Sequence, residues 1–232
     1  MSERKIKAVF FDAGNTLLYP DYEFIAKLVA EAGLETTPAA LIEAEYDARR
    51  AVDVYLGGKD GSDEKVWEIY FTTMLRGVGM IDESLVVSAK DRLSAENAAR
   101  SLWSFAPEDS FETLRLLKSD GYKLGIISNA DGRLHSVLKE TGLDKLLDFA
   151  IDSRLVGYEK PDPKIFKLAL EFAGEKAESC VHVGDIVSAD VDGARAVGIA
   201  PVLIDPTGRH NPGCPVIKTL PEIIDVVKSL NI

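Results

Sequence analysis

Five short apolar runs each end in a polar side chain. The runs are Ala8 to Phe11, Lys123 to Ile127, Phe149 to Ile151, Cys180 to Val183 and Pro201 to Ile204; the residues at their ends are Asp12, Ser128, Asp152, Asp185 and Asp205. The runs are nearly continuous in apolar character rather than alternating, as expected of strands buried on both faces of a parallel sheet. In an open parallel sheet, ligands bind outside the carboxyl ends of the strands, where the strand order reverses. Asp12, Ser128 and Asp185 are therefore expected to converge on one crevice. A hydroxyl at a strand end that leads into a helix N-terminus is a natural anion site, which gives Ser128 and the amides after it that part. Asp152 and Asp205 are read as turn or cap residues.

Helical patterns separate the later runs. Residues 107–118 begin with Pro107, Glu108 and Asp109 and place Phe111, Leu114 and Leu117 on one face. Proline and early acids are start signals. Residues 131–141 stop at Gly142, residues 163–173 run from Pro163 to Gly174, and residues 188–197 stop at Gly198. Glycine just past the last turn is the usual stop. Strand and helix in alternation predict an α/β fold, a doubly wound parallel sheet. More than a hundred residues lie between the first and second runs, too many for an ordinary crossover. Residues 18–104 are helical in pattern. Ile25, Leu28, Val29 and Ala32 share a face, as do Leu41, Ala44, Ala48, Ala51 and Tyr55, and Val66, Ile69, Tyr70, Thr73 and Met74; residues 84–101 look like a fourth helix. The expected organisation is an α/β core of residues 1–17 and 106–232 with a helical domain, 18–105, inserted after the first strand.

Four segments, in order, resemble the motifs of the haloacid dehalogenase-like hydrolase superfamily. They are Phe10-Phe11-Asp12-Ala13-Gly14-Asn15-Thr16-Leu17, Ile127-Ser128-Asn129, Lys160-Pro161-Asp162-Pro163-Lys164-Ile165-Phe166, and Val183-Gly184-Asp185 with Asp190. The inserted helices resemble the cap of the subfamily that carries one there. The resemblance implies a Rossmann-like core and Asp12 as a nucleophile that forms an aspartyl intermediate. It implies Mg²⁺ held by Asp185, Asp12 and the Gly14 carbonyl, all hard oxygen donors. Asp190 takes either a metal-site role or the role of capping the next helix. Ser128 and, less strongly, Asn129 bind phosphoryl oxygens, Lys160 neutralises charge, and Thr16 orients the first loop by hydrogen bonding. The implied reaction is Mg²⁺-dependent hydrolysis of a small phosphorylated metabolite, with the cap closing over the site and excluding water.

One departure bears on that reaction. In the phosphatase branch the second residue after the nucleophile is also Asp, which protonates the leaving oxygen and then activates water. Here it is Gly14. General acid–base help is worth on the order of 10² to 10⁴ in rate. Three consequences are open: substrates with good leaving groups such as acyl phosphates, a proton supplied by the cap or the substrate, or a catalytically weak phosphate-binding protein. The 2-haloacid dehalogenases of the family also lack this Asp. They typically carry Tyr there, and they lack the fourth-motif metal ligand that Asp185 supplies here, so phosphorus chemistry is favoured. The phosphonate-cleaving branch needs a cap lysine; Lys27, Lys59, Lys65 and Lys90 lie in the insertion without distinction among them. Arg49, Arg50, Tyr46, Tyr55 and Trp67 are candidates to face substrate, most of them as readily surface or packing residues.

Composition bounds the partners. The 232 residues are 46% apolar and 28% charged, and 27 Lys and Arg against 38 Asp and Glu leave a formal charge of −11. A general nucleic-acid or anionic-membrane binder needs a basic footprint. No apolar run reaches the roughly 18 residues of a membrane helix, and the N-terminus lacks the features of a signal peptide. Cys180 and Cys214 have no metal-type spacing, and a reducing cytoplasm is the default. His182 is read as a core residue, His135 as helical and His210 as a loop residue. The chain is expected to be a monomer or homodimer.

Overall fold

The computed structural model describes residues 5–57 and 63–231, with the side chains of Asp63 and Glu64 left aside. Lys59, one of the cap lysines considered above, lies outside the described residues. The chain divides into two compact units, Met1–Tyr19 with Ser104–Ile232, and Pro20–Trp103.

In chain order, β1 (Ala8–Phe11) and a short β2 (Tyr19–Pro20) precede four helices, α1 (Tyr22–Glu31), α2 (Pro38–Leu56), α3 (Asp63–Gly77) and α4 (Glu83–Ala99). Side-chain oxygens of Asp21, Thr37 and Asp82 cap α1, α2 and α4, satisfying amides that have no partner within a helix. The buried stripe of α2 differs from the expected one. It runs through Leu41, Ala44, Glu45, Ala48, Arg49 and Val52, leaving Ala51 and Tyr55 only half-buried. The reason is a buried polar cluster. Arg49 pairs with Glu45 through Nε and through Nη2 at 2.6 Å, and Tyr70 of α3 donates to Glu45 Oε1 at 3.1 Å. Paired in this way, the two charges are tolerated inside a helical unit. Phe71 and Leu75 are buried on α3 where Ile69 and Thr73 were expected.

After β3 (Trp103–Phe105), whose first residue ends the helical unit, the other unit continues with α5 (Glu108–Ser119), β4 (Lys123–Ser128), α6 (Leu134–Thr141), β5 (Phe149–Asp152), α7 (Ser153–Val156), α8 (Pro163–Ala173), β6 (Cys180–Gly184), α9 (Asp192–Ala196), β7 (Ala200–Ile204), β8 (Val216–Ile217) and α10 (Ile223–Leu230). The main sheet has the order β5-β4-β1-β6-β7-β8, parallel throughout. This is the α/β architecture expected. Strand β8, only two residues long, has no counterpart among the five apolar runs. Phe10 and His182 are neighbours across β1 and β6. Ala8 and Phe10 pack with Ile127, Ile151 and Cys180 against Ile165, Phe166 and Ala169 of α8 and Ala194 of α9. Gly142 and Gly174 end α6 and α8 with φ of 84° and 65°, a left-handed conformation that costs glycine little.

Two helix starts move. α6 begins at Leu134 rather than at 131, and the expected helix over 188–197 is interrupted. Residues Val187–Val191 form a wide π-turn, and only Asp192–Ala196 are α-helical. Such turns concentrate at functional sites; here the turn carries Asp190.

Candidate active site

The strand order reverses at β1. From there the chain goes to β4 and outward to β5, then crosses to β6 on the other side and outward to β7. The residues that follow β1 and β6, Asp12 and Asp185, and the last residue of β4, Ser128, thus meet at the switch point. Oxygens of Asp12, Asp185 and Asp190 lie within 4.8 Å of one another. Asp12 and Asp190 are buried and Asp185 is partly exposed.

Lys160 stands between two of these carboxylates. Its Nζ donates to Asp12 Oδ1 at 2.6 Å and to Asp190 Oδ1 at 2.6 Å, with the ammonium almost fully buried. Asn129 holds the same residue by its main chain. Its Oδ1 accepts from Lys160 N at 2.7 Å, and its Nδ2 donates to Lys160 O at 3.0 Å. These two bonds tie the loop after β4 to the Lys160 main chain and use one of the two Nδ2 protons.

Asp190 accepts from Lys160 and, through Oδ2, from Ile186 N at 3.1 Å, and its Oδ1 lies 2.9 Å from His182 Nε2. It therefore does not cap the short helix after it. The β6 residue Gly184 makes room for this carboxylate, since a Cβ there would collide with the Asp190 carboxyl carbon. His182 is in the core as expected, yet it contacts the site, which sequence reasoning missed. The available signal was the period-2 spacing of His182 and Gly184 on one strand face, with an acid following in the next loop.

The electrostatics derive from these contacts. Burial, opposed by Lys160 and reinforced by Asp190, holds the Asp12 carboxyl above its ordinary range. Burial also acts upward on Asp190, but Lys160 and His182 outweigh it, and the group sits well below the usual carboxylate range. Burial works against the Lys160 ammonium, but Asp12 and Asp190 more than offset it and raise its pKa. The triad is thus an ionised Asp190 and a charged lysine beside the more easily protonated Asp12.

Ser128 is buried at the end of β4. The amides after it are largely spent. Ala130 N donates to Ser153 Oγ, Gly132 N and Leu134 N to the Asp152 carboxylate, and Arg133 N to Asp131 Oδ1. Asp152 also caps α7 through Arg154 N. The amides of Ala130, Gly132, Arg133 and Leu134 are thus paired, three of them with Asp152 and Ser153, and the Ser128 hydroxyl lies at the start of this loop. In the first loop, Asn15 adopts φ 55°, a left-handed conformation asparagine tolerates, and its Nδ2 is 3.4 Å from Asp185 Oδ2. Gly14 is partly exposed and bridges to Leu18. Thr16 does not orient this loop as expected. Its hydroxyl is buried and has no hydrogen-bond partner among the described residues. Main-chain bonds close the loop instead, Asn15 N to Leu18 O at 2.7 Å and Leu17 N and Leu18 N to Ala13 O at 3.0 and 2.8 Å.

Three carboxylates offering hard oxygens suit a divalent cation, and Asp190 Oδ2, with a single amide donor, keeps acceptor capacity. No described helix is long and apolar enough to cross a membrane.

The fold is an α/β one with an aspartate, a lysine and two further carboxylates gathered at the switch point of a parallel sheet. The family description "haloacid dehalogenase-like hydrolase" matches residues 6–198, and the chain belongs to that family of hydrolases. It is 30% identical over 241 residues to haloacid dehalogenase-like hydrolase domain-containing protein 3 of Homo sapiens, covering 98% of this chain and 94% of the relative. It is 30% identical over 202 residues to glyceraldehyde 3-phosphate phosphatase of Methanothermobacter thermautotrophicus, covering 86% of each. Among solved structures it is similar to an HAD phosphatase from Thermococcus onnurineus, with TM-score 0.61, 25% identity, and coverage of 98% of this chain and 100% of that one.

Proposed function

We propose that the protein hydrolyses a phosphate ester or anhydride of a small metabolite through an aspartyl-phosphate on Asp12, with Mg²⁺ as cofactor. The observation that carries this reading is the burial of Asp12 at the end of β1, 2.6 Å from Lys160 and within 4.8 Å of two more carboxylates. The phosphatase relative supports phosphorus as the centre attacked.

An Asp12 carboxylate oxygen attacks phosphorus, and the bond to the leaving oxygen breaks with its electron pair. Water then attacks the acyl phosphate, releasing inorganic phosphate and regenerating the carboxylate. Lys160 keeps Asp12 ionised and offsets charge on the transferring group. The Ser128 hydroxyl donates to a phosphoryl oxygen. Asp12, Asp185 and Asp190, with the Gly14 carbonyl, are the proposed ligands of Mg²⁺, which when bound screens the repulsion between the carboxylate and an anionic phosphoryl group. At position 14 there is no acid, so the reading favours leaving groups that depart without a proton, such as acyl and aryl phosphates. We assign substrate selection to the helical unit as a cap, and the two free thiols support a reducing cytoplasm as its compartment.

The test is phosphate release from acyl, aryl and alkyl phosphates with and without Mg²⁺, with Asp12→Asn as control. Turnover that needs both Mg²⁺ and Asp12 is expected. Chloride release from 2-haloacids without metal, and no phosphate release, would replace the reading with a dehalogenase.

A further inference from the structure

His182 looks at first like packing. It is fully buried on β6, and the Phe166 ring of α8 meets it edge-on with centroids 5.2 Å apart. Its two ring nitrogens, however, have very different surroundings. Nε2 lies 2.9 Å from Asp190 Oδ1, whereas Nδ1 is buried and has no hydrogen-bond partner among the described residues.

An ionised carboxylate can only accept. A proton on Nε2 makes that contact a hydrogen bond. A proton on Nδ1 alone would set two lone pairs against each other at 2.9 Å and bury an N–H with no acceptor, the costlier of the two orphans. The imidazole is therefore the Nε2–H tautomer, set by its carboxylate partner.

The same Asp190 oxygen accepts from Lys160 Nζ. Asp190 hangs from a π-turn rather than a regular helix, and only Ile186 N holds its other oxygen. Without the imidazole, the carboxylate keeps one hydrogen bond on each oxygen, from Lys160 and from Ile186 N, and loses the one contact that fixes Oδ1 independently of the ammonium it shares with Asp12. We propose that His182 is a positioning residue for the reaction. Through Nε2–H it fixes the Asp190 carboxylate, and through Asp190 it sets Lys160 against the nucleophile Asp12. This inference rests on the phosphohydrolase reading for its consequence, but not for its geometry.

Packing and positioning predict opposite orders for two substitutions. His182→Phe keeps an aromatic ring against Phe166 and removes the donor. His182→Gln loses the ring but keeps an amide N–H three bonds from Cβ, the same count as Nε2. With p-nitrophenyl phosphate and Mg²⁺, His182→Phe is expected to lower kcat by about 10²-fold, the scale of a roughly ångström-sized misplacement. Its kcat/KM should fall at least as far, because the Lys160 ammonium that shifts with Asp190 also meets the transferring group. His182→Gln should recover kcat to within about tenfold of the wild type. A His182→Phe variant with wild-type kcat, or equal losses in folded Phe and Gln variants, would overturn the proposal.

The second readout needs neither a variant nor turnover. Long-range ¹H–¹⁵N correlation of the wild-type imidazole should show a protonated Nε2 and a bare Nδ1. A protonated Nδ1 with a bare Nε2 refutes the proposal even if the protein is a phosphatase. Absence of phosphatase activity with the expected tautomer refutes the functional reading, and with it the catalytic consequence, but leaves the hydrogen bond standing.

Discussion

Replacing Lys160 by methionine removes a buried charge and little volume, so its cost is electrostatic in origin. The ammonium sits 2.6 Å from both Asp12 and Asp190. Without it, two buried carboxylates whose oxygens lie within 4.8 Å face each other with no cation between them. At that separation and an effective dielectric of about 20, their repulsion is about 3.5 kcal/mol. Breaking a buried ion pair by removing one partner costs about 3–5 kcal/mol, so the two routes agree. Lys160→Met should therefore lose about 3–5 kcal/mol near pH 7.5, a shift of the urea midpoint of about 1–2 M for a typical slope. The sign with pH is fixed by Asp12. Burial already holds its pKa above the ordinary value and Lys160 opposes that, so the variant raises it further. A carboxylate with a raised folded-state pKa destabilises when charged and is relieved as protons bind, so the deficit should shrink toward pH 5. Mg²⁺ should also shrink it by supplying a cation to the same oxygens. Both tryptophans, Trp67 and Trp103, lie in the helical unit, so the transition is followed by circular dichroism rather than fluorescence. Equal urea midpoints for variant and wild type at pH 7.5, or a deficit independent of both pH and Mg²⁺, would refute the reasoning.

Other expectations come from single contacts. Gly184→Ala drives a methyl into the Asp190 carboxyl, and should cost about 1–3 kcal/mol of stability and most of the phosphatase activity; unchanged kcat would show that Asp190 can move without harm. Gly14 does not have a positive φ, so its backbone conformation is one that aspartate can adopt; Gly14→Asp should speed alkyl phosphates by about 10²-fold or more relative to aryl ones if a proton donor is what is missing, and a flat ratio in the same assay argues otherwise. Asp205 accepts from Thr207 N and Oγ1 and from His210 N and Nδ1, and these outweigh its burial and depress its pKa. Its stabilisation is therefore present above the unfolded value near about 4 and fades as pH falls below it; Asp205→Asn should be less stable than wild type at pH 7, with the gap in urea midpoint narrowing near pH 3. Burial pushes the Cys180 thiol up to about 12, so a disulfide reagent at pH 8 should modify Cys214 first and reach Cys180 only after denaturation; equal rates in the native protein would contradict the burial of β6.

Much of the site is legible before folding is considered. Asp12, Ser128 and Asp185 sit where apolar runs end, and a run buried on both faces has few homes other than a parallel sheet. Once the runs are parallel, their carboxyl ends share an edge, and the three residues meet without any knowledge of side-chain contacts. Gly142 and Gly174 mark helix ends because only the backbone conformation at one residue is at issue. Asp152 and Asp205 act as the turn and cap residues their positions suggest, through bonds spanning 20 residues or fewer.

Other features depend on which partner each polar group selects, and the tertiary structure alone made those choices. Lys160 meets Asp12 across 148 positions of sequence and Asp190 across 30; the motif around it marks the residue, but not which carboxylates it meets. The amides after Ser128 read as one run, and only the fold shows that Asp152 and Ser153, brought alongside by β5, take those of Ala130, Gly132 and Leu134. Asn129 reads as a ligand residue, and only the fold shows that its amide also holds the Lys160 backbone. Arg49 reads as a candidate to face substrate or as a surface or packing residue until the fold buries it against Glu45, which Tyr70 also meets. Periodicity and end signals report the conformation of one segment. A buried hydrogen bond is a competition among all donors and acceptors the fold brings within about 3 Å, and the winner of that competition is a property of the packed molecule.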